Sequence, residues 1–246
     1  MKTTLIGSAV FSLLTVSAFA ADLGMPPVSA RPPSFTWTSC YGGLQVGGGF
    51  GQKDLTDNSG LISGATGTVM DLGISGYMIG GQIGCDYQFA PNWVVGVEGS
   101  VLGGDIGGST TVAVPLVAAG DTVNFKETTD FLMSVTGRVG YAWDRWMLYA
   151  KGGFAGAGDK YDALDTAGTY DFQGLENRIG WTAGAGIEWA LWQDWSIRLE
   201  YDYYGFGTRS VTFIDNTILM TSGSESIKQN IQTVMLGVNF HAFAGP

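Results

Sequence analysis

One stretch restricts the fold more than any other: Arg178 to Tyr204, R-I-G-W-T-A-G-A-G-I-E-W-A-L-W-Q-D-W-S-I-R-L-E-Y-D-Y-Y. Every second residue from Ile179 to Leu191 is apolar, and the residues between are small, polar or charged (Arg178, Gly180, Thr182, Gly184, Gly186, Glu188). After Gln193-Asp194 the alternation restarts, with Trp195, Ile197, Leu199, Tyr201 and Tyr203 set against Ser196, Arg198, Glu200, Asp202 and Tyr204. Two runs of period two joined by a tight polar turn predict a β-hairpin. One face is large and apolar with aromatics towards both ends. The other is rich in glycine and carries charges that a dry core would reject. That sorting fits a barrel with lipid outside and a polar lumen. A soluble ligand-binding barrel has the inverse polarity.

The same unit recurs along the chain. Strands are expected over Trp37 to Gln52, Asp71 to Phe89, Trp93 to Leu102, Thr128 to Trp143, Trp146 to Ala155, the two strands of the opening hairpin, and Gln229 to Phe240. Each alternates for about ten residues, enough to cross a bilayer at a tilt. Three connections are short (Ala90-Pro91-Asn92, Asp144-Arg145, Gln193-Asp194). Four are long and polar (Lys53 to Met70, Gly103 to Glu127, Gly156 to Asn177, Gly207 to Lys228). The reading is an all-β, eight-stranded antiparallel transmembrane up-and-down β-barrel over residues 37–246. Short turns face the periplasm and four long loops face outwards.

Ahead of the barrel, Lys2, the apolar run Leu5 to Val16 and Ala18-Phe19-Ala20 form a secretory signal over residues 1–20, cut after Ala20. Residues 21–36, with Pro26, Pro27, Pro32 and Pro33, are expected to be an extended periplasmic tether. With 12 Lys and Arg against 22 Asp and Glu, the chain lacks the basic face that nucleic acid requires. The two cysteines form no CxxC or Cys/His cluster, so neither a zinc site nor another cofactor is expected.

Several motifs, in this order, carry a family resemblance: Trp37-Thr-Ser-Cys-Tyr-Gly-Gly43 after a Pro-rich tether, Gly80-Gly-Gln-Ile-Gly-Cys-Asp-Tyr87, Trp93-Val-Val-Gly-Val-Glu98, Arg198-Leu-Glu-Tyr201 and the closing Thr233-Val-Met-Leu-Gly-Val-Asn-Phe240. The chain resembles the small eight-stranded outer-membrane barrels, the OmpA-like transmembrane domain. It is more similar still to the porin-family surface antigens of alphaproteobacteria. The resemblance implies outer-membrane lipid and lipopolysaccharide as surroundings, and insertion by the outer-membrane assembly machinery, which reads a C-terminal strand ending in an aromatic. Here the chain runs past Phe240 and Phe243 to Pro246.

Three groups of residues are singled out. Glu98, Arg138, Lys151, Glu188, Arg198 and Glu200 all fall on the inward register. The interior of an eight-stranded barrel is just filled by side chains, so these charges are expected to pair into a network that plugs the lumen. The alternative is a gate in a narrow, poorly conducting path. Trp37, Trp93, Trp143, Trp146, Trp189, Trp192 and Trp195 cluster beside the short turns and are expected to form a periplasmic aromatic girdle. Cys40 and Cys85 lie on neighbouring strands in the same register, where either a disulfide or two free thiols is compatible with the sequence. No catalysis is expected: the one histidine, His241, falls at the periplasmic end, away from an outer-leaflet substrate. The acidic loop residues Asp54, Asp57, Asp159, Asp162, Asp165 and Asp171 match no EF-hand spacing. They read as solvated surface, and the loops remain available to a host or surface ligand.

Overall fold

The computed structural model describes residues 35–58, 67–113, 122–165, 171–214 and 221–242. Eight strands follow in chain order: β1 (Ser39–Asp57), β2 (Thr68–Phe89), β3 (Trp93–Ala113), β4 (Thr122–Trp143), β5 (Trp146–Asp165), β6 (Asp171–Ala190), β7 (Trp195–Ile214) and β8 (Thr221–Ala242). Each pairs antiparallel with the next, and β1 pairs with β8 to close the barrel. Closure leaves no free edge over the paired region, which allows a β-structure to stand in lipid. The outward face is apolar throughout. Leu44, Ile83, Val97, Val135, Phe154 and Ile179 are each more than half exposed. A continuous apolar surface of this kind marks a lipid-facing wall.

The strands are 19 to 22 residues long, about twice what a bilayer needs. Much of what reads as loop is therefore strand. Lys53 to Asp57 belongs to β1, Gly103 to Ala113 to β3, Gly156 to Asp165 to β5 and Gly207 to Ile214 to β7. The supposed acidic loop residues Asp54, Asp57, Asp159, Asp162, Asp165 and Asp171 all lie on strands. Beyond the bilayer the outer face of a strand meets water instead of lipid. The apolar–polar alternation then disappears, although the backbone ladder goes on pairing. Pro115, expected to oppose a strand, lies just past the end of β3 and outside the described residues. The signal peptide and most of the tether also lie outside them. At the short-turn end Asp144 takes a left-handed φ of 57° between Trp143 and Trp146, a conformation Asp tolerates better than most residues.

Inside, the barrel is stratified. The inward residues of β3, from the short-turn end, are Val94, Glu98, Ser100, Leu102 and Ile106. Those of β5 are Met147, Tyr149, Lys151, Ala155 and Ala157. Repeated around the barrel, this order places a charged belt between two apolar layers. The lower layer contains Trp37, Val94, Met147 and Ala190. The upper contains Met78, Leu102, Ile106, Leu132, Phe206 and Met235. The charged belt thus lies at mid-height between apolar layers, with further buried polar residues towards the ends, Ser39, Ser196 and His241 at one and Lys53, Thr129, Arg178 and Gln229 at the other.

Candidate functional site: a buried charged belt

Arg138 of β4 is the hub on one side of the belt. Its Nε donates to Asp86 Oδ1 at 2.7 Å and its Nη2 to Asp86 Oδ2, a two-pronged pairing. Its Nη1 lies 3.4 Å from Glu188 and 3.8 Å from Glu98. The guanidinium also stacks over Tyr41 and Tyr149, 4.6 and 5.0 Å from the ring centres. Beside it, on the neighbouring strand β5, the Lys151 ammonium meets three carboxylates: Glu200 at 2.6 Å, Glu98 at 3.2 Å and Asp202 at 3.3 Å. Arg198 donates to Glu98 through Nη1 and to Gln45 through Nη2 at 3.1 Å. Tyr41 and Tyr149 donate to Glu98 and Glu200 at 2.7 and 2.6 Å. Every charged side chain in the belt is at most 2% exposed. Charges so far from water persist only if paired and hydrogen-bonded.

The glycines of the inward face give the belt its room. A Cβ on Gly84 would stand 2.3 Å from Tyr41 Oη, one on Gly96 2.0 Å from Asp86 Oδ1, and one on Gly184 2.0 Å from Asp202 Oδ1. Each long polar side chain lies across a glycine of a neighbouring strand. Glycine and charge share a face because each charged group needs the space that a missing side chain leaves.

All six residues singled out from the sequence, Glu98, Arg138, Lys151, Glu188, Arg198 and Glu200, are in the belt. Asp86, Asp202, Tyr41, Tyr149 and Asn239 are there too, and the sequence reading did not count them in the network. Their inward register was the available signal, but three acids against three bases already balance.

Towards the short-turn end, Glu188 accepts from Ser196 Oγ at 2.5 Å and Asn239 Nδ2 at 2.8 Å. His241 sits between Ser39 and Ser196, each 2.8 Å from a ring nitrogen. Trp37 covers this cluster and corrects the sequence reading. It is fully buried in the mouth of the barrel, edge-on to Phe35 at 4.9 Å and 6.1 Å from the His241 ring. It is no part of a lipid-facing girdle. The cause is local. Trp37 N donates to the Gln88 side chain, and Gln88 N donates to Thr38 Oγ1, both at 3.0 Å. These contacts hold the chain ahead of the ladder, and Trp37 keeps step with the inward Ser39 and Tyr41. The other six tryptophans, Trp93, Trp143, Trp146, Trp189, Trp192 and Trp195, are exposed around the same rim. Trp146 stacks on Trp189 at 5.3 Å. Cys40 and Cys85 are register partners joined by a disulfide on the outward face.

Comparison with known proteins agrees with the geometry. Residues 6–240 match the family model described as outer membrane protein beta-barrel domain. The chain belongs to that family. Among its relatives is the 31 kDa outer-membrane immunogenic protein of Brucella melitensis, 30% identical over 98% of this chain and 99% of the relative. The 25 kDa outer-membrane immunogenic protein of Brucella abortus is 29% identical over 94% of this chain and 97% of its own. The outer membrane protease OmpT of Escherichia coli superposes with a TM-score of 0.52 at 8% identity, covering 87% of this chain and 100% of that one. At that identity the likeness is one of fold alone. The eight-stranded barrel is therefore an outer-membrane protein.

Proposed function

We propose that this outer-membrane barrel is a structural element that supports the integrity of the cell envelope, its lumen stoppered by the ion-pair belt. One observation carries the reading: the belt is dry, cross-linked from several strands, and roofed and floored by apolar layers. An ion crossing the lumen would have to part both layers and break several buried pairs at once. Breaking one such pair costs about 3–5 kcal/mol. A narrow conducting path requires these elements to separate together. Catalysis is equally disfavoured, since His241 is sealed beneath Trp37. The apolar wall suits outer-membrane lipid and lipopolysaccharide. Phe240, outward near the end of β8, is the aromatic that the assembly machinery would read.

The test has two arms. Liposomes carrying the refolded protein should not swell in isotonic arabinose. Cells lacking the protein should become sensitive to detergent and recover on complementation. Rapid swelling overturns the stopper; unchanged detergent tolerance overturns the envelope role.

A further inference from the structure

Among the described residues two seams open before their strands end, β2–β3 past Ser75–Gly107 and β6–β7 lower down, and the β6–β7 seam is the thinnest. Its register runs from Ala190–Ser196 to Trp181–Gly205 and, among the described residues, stops there. Beyond that point β6 stays paired with β5 as far as Asp171, and β7 with β8 as far as Ile214. The cause lies in β7. A one-residue bulge against β8 falls between Gly205 and Thr208, and Gly207 within it adopts a left-handed φ of 67°. Phe206 swings into the lumen, its ring parallel to that of Tyr204 with centroids 6.5 Å apart. The bend carries β7 away from β6.

Two facing strand edges result, both beyond the level of Trp181 and so at the outer side of the membrane. Each presents unpaired backbone N–H and C=O groups. Edges of this kind are blunted by Pro, by charged side chains, Lys above all, or by bulges. Residues 171–180 and 206–214 contain no Pro or Lys, their charges being Asp171, Glu176, Arg178 and Arg209, and Ser210-Val-Thr-Phe-Ile214 is a β-prone run. The edges therefore invite another strand.

Strand direction identifies the occupant. β6 descends towards the periplasm and β7 ascends. A single foreign strand would satisfy one edge antiparallel and lie parallel to the other. A second copy turned by half a revolution about the membrane normal keeps its orientation in the membrane. Its seam then faces this one, with its β7 opposite this β6 and its β6 opposite this β7. Both pairings are antiparallel, the contact is self-complementary, and both free edges of this seam are closed. We infer that the open β6–β7 seam is the interface of a symmetric dimer, in which the outer half of β6 in each copy pairs with the outer half of β7 in the other.

Carrying the Trp181–Gly205 register past the one-residue bulge brings Asn177 opposite Ser210, and both are exposed. The experiment co-expresses two differently tagged copies in one outer membrane, one Asn177→Cys and the other Ser210→Cys, under mild oxidation. Heat-modifiable gel mobility establishes that both are folded. The expected result is a disulfide-linked band at twice the monomer mass that contains both tags, and its loss when either variant is expressed alone. Absence of the mixed band from folded protein overturns the inference, as does an Asn177→Cys homodimer of equal yield. A double variant Asn177→Cys/Ser210→Cys that cross-links within one chain also overturns it, because the seam would then close on itself.

Discussion

Replacing Arg138 by Met removes the guanidinium while keeping much of the stem, and the structure gives the consequence a size. Arg138 engages Asp86 through two nitrogens and approaches Glu188 at 3.4 Å. Its side chain is 1% exposed, so water cannot replace it. The Asp86 carboxylate would be left without the cation it contacts. An unpaired charge in such a site costs about 3–5 kcal/mol, equivalent to a loss of about two to nearly four powers of ten in the folding equilibrium. Asp86→Leu should cost less, about 1–3 kcal/mol, because Arg138 keeps Glu188 and Glu98 within reach. The double variant Arg138→Met/Asp86→Leu removes both partners and should recover about 2 kcal/mol relative to the sum of the single effects. Urea unfolding of protein refolded into lipid vesicles, followed by tryptophan fluorescence, measures all four species. An Arg138→Met variant within about 0.5 kcal/mol of wild type, or a strictly additive double variant, would refute the claim that the belt is a dry, mutually dependent network.

Three further expectations use the same unfolding assay. Gly84→Ala should destabilise by about 1–3 kcal/mol, since its methyl would stand 2.3 Å from Tyr41 Oη. Gly137→Ala, which faces lipid with no atom within 4 Å, should fold like wild type. Trp37→Ala should cost about 3 kcal/mol by emptying the periplasmic mouth, whereas Trp192→Ala, in an exposed turn, should stay within about 0.5 kcal/mol; equal effects would restore Trp37 to the rim. A reductant should lower stability by about 2–4 kcal/mol through loss of Cys40–Cys85, and have no effect on a Cys40→Ala/Cys85→Ala variant.

The sequence disclosed what the bilayer enforces. Lipid accepts only apolar side chains, so the outward register of all eight strands was legible from alternation. A charge among glycines on the opposite face could only be inward, which is why Glu98, Arg138, Lys151, Glu188, Arg198 and Glu200 stood out. Where lipid stops acting, legibility fails. Beyond the bilayer no lipid sorts the residues of Lys53 to Asp57 and Asp159 to Asp165, and nothing in their composition marks a strand. The upper apolar layer was hidden for the opposite reason. In Tyr77-Met78-Ile79 and Val101-Leu102 apolar residues are consecutive, so the inward Met78 and Leu102 do not interrupt the run. Alternation also cannot say where a ladder ends. Trp37 is in step with the inward Ser39 and Tyr41, but the ladder begins only at Ser39, so ahead of it the position beside the short turns read as rim. The break between β6 and β7 left only Gly205 and Gly207 as a trace, and glycine is too common here to single them out.

The central claim is that the lumen is closed by a dry belt between two apolar layers, and electrical recording tests it most directly. Refolded protein inserted into a planar bilayer in molar potassium chloride should leave the membrane at its baseline current, while Arg138→Met, with the belt broken, should show flickering openings. Steady wild-type channels of the size seen with open porins would contradict the account.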